Sequence, residues 1–176
     1  KKTKQIQTFS MDQGVYIFHF SDFKESENSY TIQAPQLDEF DFSDLIFNPK
    51  VREIVIDKKT KYVSNNKYPE LENINIDFPV KINSTHTLFS MVDKEFGFTG
   101  FTICEGMKIT KNILFNDTII IGEPQIMNIL DTSYIMSFIK KDNNYFISFI
   151  NLKTFSQSDI SIPISITNGF HSIFIK

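Results

Sequence analysis

Three histidines, one cysteine and a scatter of carboxylates are the side chains in this sequence with the most chemistry to offer. His19, His86 and His171 lie far apart. No HExxH, HxH or Cys–His spacing links them, so the linear pattern announces no metal site. Cys104 stands just before Glu105-Gly106, at the end of an apolar run. A nucleophilic thiol needs a neighbouring base and an electropositive setting. Neither is visible, and a buried inert thiol is the simpler expectation. There is no GxSxG elbow, and the six glycines are dispersed. GFTG at 97–100 reads as a bent strand, not a phosphate loop. No cofactor is expected. A glycosidase would need two carboxyl groups about 5–10 Å apart in a cleft. Glu53, Asp57, Asp93 and Glu95 are the first carboxylates to inspect, although surface charge explains them as well.

The most distinctive polar cluster is acidic and aromatic: Asp38, Glu39, Asp41 and Asp44 alternate with Phe40 and Phe42. It has no turn glycine and so does not match a calcium loop. Asp38, Phe40, Asp41, Phe42 and Asp44 are candidate contacts for a protein partner, with aromatic anchors and acidic flanks. The alternative is an ordinary surface loop whose phenylalanines tuck into the core. The N-x-S/T triplets at Asn83 and Asn116 are expected by chance in so polar a chain, and matter only in a secreted protein.

Composition narrows the field. The 176 residues carry a net charge of −3, which leaves no basic footprint for nucleic acid. No apolar run is long enough to span a membrane. No signal peptide is visible and there is a single cysteine, a pattern that leans toward a cytoplasmic setting. A start at Lys1 rather than Met suits a fragment or processed form. The chain has 19 Phe and no Trp, while Ala34 and Arg52 are the only residues of their kinds. With β-branched and aromatic residues filling the periodic stretches, the chain reads as all-β.

The elements expected to position these groups are short antiparallel strands. They are placed at Val15–Phe20, Tyr30–Gln33, Val51–Ile56, Asn73–Ile76 and Val80–Ile82, with Pro79 marking an edge or a bend. Further strands are placed at Leu88–Val92, Gly97–Ile103, Met107–Thr110, Thr118–Ile121, Ile126–Leu130, Tyr134–Ile139, Tyr145–Asn151, Ile160–Ile164 and His171–Ile175. Asp142-Asn143-Asn144 and Asn168-Gly169 carry hairpin-turn chemistry. A repeat runs through them. Leu88 onward echoes Ile135 onward at a shift of 47 residues, and the hairpin around Asp57 echoes that around Asp93 at a shift of 36. Periods of this size suggest propeller blades.

The expected fold is therefore one all-β domain over 1–176, mostly antiparallel, with a weak internal boundary near 64–73. Propeller-like four-stranded repeats come first, and a β-sandwich or β-trefoil is the alternative. With no catalytic motif in view, the expected function is a non-catalytic protein–protein interaction or scaffold module. A receptor- or glycan-binding surface-recognition domain of viral, phage or bacterial origin is second, and a glycosidase-like enzyme third.

Overall fold

Backbone alternation rather than helical periodicity dominates the chain, and its computed structural model follows suit, with 60% of the described residues in strand and 3% in helix. The structure describes residues 6–40, 47–92 and 97–166. Asp41, Phe42, Asp44, Asp93, Glu95, His171, Asn168-Gly169 and the strand placed at 171–175 lie outside the described residues.

Two antiparallel sheets form. The first runs β1 (Asp22–Glu25), β2 (Ser29–Gln36), β3 (Lys50–Asp57) and β4 (Val63–Asn66) in that order. A one-turn helix, α1 (Pro69–Glu72), leads away from it. The second sheet holds β5 (Ile76–Lys81), β6 (His86–Val92), β7 (Phe98–Glu105), β8 (Lys108–Leu114), β9 (Thr118–Ile129), β10 (Thr132–Lys141), β11 (Asn144–Asn151) and β12 (Gln157–Ile162). Its order is β12-β11-β10-β9-β7-β6-β5, with β8 also paired to β7. Among the described residues the sheets close into neither a barrel nor a ring of blades. None of the described helices is long and apolar enough to cross a membrane.

The internal echo is kept as hairpin register. In β3–β4, Ile54 faces Asn65. Thirty-six residues on, in β6–β7, Ser90 faces Phe101. Forty-seven residues further, in β10–β11, Ser137 faces Ser148. The later two hairpins share one core, in which Leu88, Phe101 and Ile103 pack with Ile120, Ile135, Ile139 and Ile150. A second cluster joins the two sheets through Val51, Leu71, Ile76, Phe89 and Cys104. Gly100 has a steric reason to be glycine. A Cβ there would lie 2.3 Å from the Ile113 carbonyl oxygen, so only a bare backbone lets β8 approach β7.

Strand breaks appear where proline and glycine dictate. The expected strand Val15–Phe20 is not one. It makes a single bridge, Tyr16 to Leu37, and the ladder starts at Asp22. Continuing the β1 register would set Phe20 against Pro35, which has no N–H to give. The chain takes up two extra residues instead, and Tyr16 rather than Phe18 meets Leu37. Pro35 itself does not stop β2, which runs on to Gln36. The two strands placed at 118–121 and 126–130 are one strand, β9, bent at Gly122 (φ 84°) and resuming its ladder at Gln125.

The turn at 142–144 joins β10 to β11, and its left-handed residue is Asp142 (φ 54°), not Asn143 or Asn144. Asp142→Val should cost about 1–2 kcal/mol, because a β-branched side chain crowds the carbonyl in that conformation. Urea unfolding of Asp142→Val beside Asn144→Val checks this. Equal midpoints for the two variants would place the strained residue elsewhere.

In the first sheet a buried charge sits at Arg52. Its side chain is 3% exposed, with Asp38 on one side and Glu72 on the other. Nε and Nη2 donate to the Glu72 carboxylate at 2.7 and 2.9 Å, and Nη1 and Nη2 both donate to Asp38. The guanidinium thus ties the end of β2, the start of β3 and α1 together.

Candidate functional site

Three irregularities converge on one histidine. The loosened stretch before β1 keeps an in–out alternation without a ladder: Tyr16, Phe18 and Phe20 stay more than half exposed while His19 turns inward. The second irregularity is a bulge in β5, where Phe78 and Pro79 together oppose the single residue Phe89. Phe78 adopts φ 53°, an outlier for a bulky side chain. Such strain at a bulge marks places where a strand re-aims side chains. Here it aims two. Asp77 carries its carboxylate to His19, and the Phe78 ring lies 4.7 Å from the imidazole. Phe98 meets Phe78 edge-on at 4.9 Å, which closes the aromatic side of the site. The third irregularity is the bend at Gly122 in β9, where Glu123 comes to 4.0 Å from the imidazole.

The chemistry follows from the bonds. His19 Nδ1 lies 3.0 Å from Asp77 Oδ1, and Asp77 is 2% exposed. The same Oδ1 accepts the Phe78 N–H at 2.7 Å. An ionised carboxylate only accepts, so Nδ1 carries the hydrogen and the neutral ring presents Nε2 as a lone pair. Nε2 is the nitrogen 4.0 Å from Glu123 Oε1. The hydrogen bond to Asp77 is the largest influence on His19. It raises the pKa above the ordinary 6.5 against the lowering effect of burial, and the charges of Asp77 and Glu123 add to it. This is the arrangement of a histidine fixed by a carboxylate behind it, used both by acid–base pairs and by metal-ligating histidines.

The other residues singled out in the sequence do not assemble. Glu53 accepts from Gln33 Nε2 and from the Tyr68 hydroxyl. Asp57 caps its own turn, accepting from Lys59 N, Thr60 N and Thr60 Oγ1. Cys104 is fully buried; burial first, and the charge of Glu70 second, push its thiol up to about 12, so it is inert. His86 lies at the far end of the second sheet. Asp38 is committed to Arg52, and Phe40 rests on Phe18 at 5.1 Å and on Tyr16 at 6.1 Å.

Asp77 and Glu123 were not singled out in the sequence. The available signal was indirect: prolines and glycine inside strand patterns, at Pro35, Pro79 and Gly122-Glu123-Pro124, mark the bulges that gather the site.

No protein-family model matches the chain, and no curated protein matches it. Solved structures do. A point mutant of the Synechocystis apocarotenoid oxygenase superposes with a TM-score of 0.72 at 13% identity, over 96% of this chain and 41% of that one. A cobalt-substituted form of the Synechocystis enzyme gives 0.67 at 12%, over 91% and 38%. An ACO/RPE65 chimera gives 0.67 at 13%, over 90% and 38%. The chain thus spans about two fifths of the structures it resembles, and at such identity the likeness shows the fold.

That fold is one on which oxygenases are built, and this corrects the expected function. The non-catalytic scaffold rested on the lack of a linear catalytic motif. The solved structures that share the fold are enzymes, and the strand bulges assemble a histidine–carboxylate site that no linear motif announces. Of the carboxylates considered for a glycosidase, Glu53 and Asp57 are each bound up in local hydrogen bonds.

The cobalt-substituted neighbour raises the question of a metal here. No group of three or more His, Cys, Asp or Glu among the described residues is able to hold an ion. His19 with Asp77 behind it fits one arm of such a site and does not complete one.

Proposed function

We propose that this chain is part of a propeller-like oxygenase acting on an apolar substrate of the apocarotenoid kind, and that His19 is its contribution to the reacting centre. The carrying observation is the His19–Asp77 pair, set by a strained bulge, within a chain 96% of which superposes on 41% of an apocarotenoid oxygenase. The three hairpins of matching register support a blade-like organisation. Phe78 beside the imidazole and Phe98 behind it give the site an apolar wall suited to a hydrocarbon ligand. The segment of Asp38, Phe40, Asp41, Phe42 and Asp44 keeps its proposed contact role, with the neighbouring part of a larger propeller as partner. Phe40 continues the Tyr16–Phe18 face.

In this reading Nε2 of His19 would be one ligand of a divalent ion, and no group of three or more His, Cys, Asp or Glu among the described residues completes the set. When bound, the ion would supply Lewis acidity. The residues of this chain do the rest: Asp77 holds the Nδ1 proton and the ring plane, Phe78 and Phe98 limit water, and Glu123 places negative charge near Nε2.

The test is titration with Co²⁺, followed by visible absorption, beside conversion of an apocarotenal in air. His19→Ala should abolish conversion. Asp77→Asn, which keeps the shape and loses the charge, should weaken cobalt binding about 10–100-fold. Because His19 holds its proton above the ordinary 6.5, cobalt must displace that proton, so affinity should rise with pH through the raised value. Cobalt affinity and conversion untouched by both substitutions would overturn the reading.

A further inference from the structure

The second sheet has another concave site, at the end away from His19. Its place follows from strand direction. β5 begins next to Asp77 and runs to Lys81, about 3.3 Å per residue. Beyond it the β5–β6 turn, the β9–β10 turn, the β11–β12 turn and β8 surround a cavity of about 590 Å³. That size suits a small organic ligand.

Its lining divides by chemistry. Ile82, Ile103 and Leu152 make an apolar floor. Lys111 and Lys153 stand on different rims, with His86 between sheet and turn and Asp131 as the one acidic group of the lining. In a chain with a net charge of −3, this is a local excess of positive charge. His86 is fixed through Nδ1, which lies 2.9 Å from Thr85 Oγ1 and 3.3 Å from Asn83 Oδ1, and Nε2 is left for a ligand.

The lip is built, not incidental. Phe155 holds φ 58°, a costly conformation for an aromatic residue. It is kept there by an Asn151 turn, in which the side-chain oxygen accepts from Lys153 N and Thr154 N and the main-chain oxygen from Phe155 N. The result sets the Phe155 ring under Lys111, with Nζ 4.9 Å from its centroid. A cation over an aromatic face, beside a second lysine and above an aliphatic floor, matches a ligand with an anionic head and a flat apolar body.

We propose that this cavity binds a small organic anion with a flat aromatic body, such as an aryl carboxylate. The site is separate from His19 and its occupancy does not depend on a metal there.

The experiment uses 2-naphthoate on the whole chain, read by amide chemical shifts, with neutral naphthalene and 2-naphthylmethylammonium for comparison. The expected result is saturable shifts at Lys111, Lys153, Phe155 and Ser133 with naphthoate, and much weaker ones with the neutral and cationic analogues. The double variant Lys111→Glu/Lys153→Glu should weaken naphthoate at least tenfold while its circular dichroism and its cobalt titration stay unchanged. Phe155→Leu, which keeps bulk and removes the ring face, should weaken it severalfold. Equal binding of all three analogues, shifts confined to other surfaces, or indifference to charge reversal would each overturn the proposal.

Discussion

Replacing Arg52 with alanine should lower the unfolding free energy by about 3–5 kcal/mol, toward the lower end of that range. The guanidinium is 3% exposed and serves two carboxylates at once. Its loss leaves Asp38 and Glu72 facing each other without a cation. The two are 43% and 26% exposed, so water partly rehydrates them, which is why the lower end is expected. Arg52→Lys keeps the charge and loses the planar fork, and should recover only part of the difference. The acid limb gives a second reading. The hydrogen bonds from Arg52 hold both carboxyls below their ordinary values of 3.8 and 4.5. A depressed carboxyl contributes stability above its unfolded pKa and loses it as pH falls through the folded one. The gap between wild type and Arg52→Ala should therefore be full near neutral pH and shrink below about pH 4. Urea midpoints for the two proteins at pH 7 and pH 3 decide it. A gap that stays constant would mean that Arg52 acts by packing its stem, not by its charge.

Phe101→Ala is expected to cost a comparable 3–5 kcal/mol. The ring is fully buried among Leu88, Ile103 and Ile135, and Phe115 meets it edge-on at 5.6 Å. Its neighbours in the core are themselves buried, so water does not reach the space that the truncation opens. Phe20→Ala is the contrast. Its ring is 65% exposed, and removing it should change stability by no more than about 0.5 kcal/mol. Equal losses for the two phenylalanines, in paired thermal melts, would show that the core is not where the structure puts it.

The hairpins were legible in the sequence because two independent local signals agree there. Alternation fixes which face is buried, and Asp or Asn at the tip fixes where the chain reverses. Ser148, Phe149 and Ile150 show the alternation, buried at 148 and 150 and half-buried at 149, in the strand that follows a turn whose position could be read although its left-handed residue could not. The first strand failed for a reason that local pattern cannot carry. VYIFHF alternates well, but its pairing depends on Pro35, a residue in another strand without an N–H. The site failed for the same reason at longer range. His19 and Asp77 are 58 residues apart, and what unites them is a bulge that only pairing with β6 reveals. The function expected from the sequence leaned on missing motifs, and a histidine site assembled from bulges leaves no linear motif to miss.

The strand order has a consequence for how the chain reaches this structure. Nearly every strand lies beside its neighbour in sequence, so most of the ladder can zip locally, each hairpin closing on a microsecond scale without waiting for distant segments. One junction breaks the rule. β8 folds back on β7, and β9 must reach past it to meet β7 at Phe98 and Ile120. That closure spans the longest intervening loop within the second sheet and carries the largest entropic cost there. Loop entropy therefore leads us to expect the slowest pairing within the second sheet at the one seam where Phe98, the outer ring of the His19 site, is set in place.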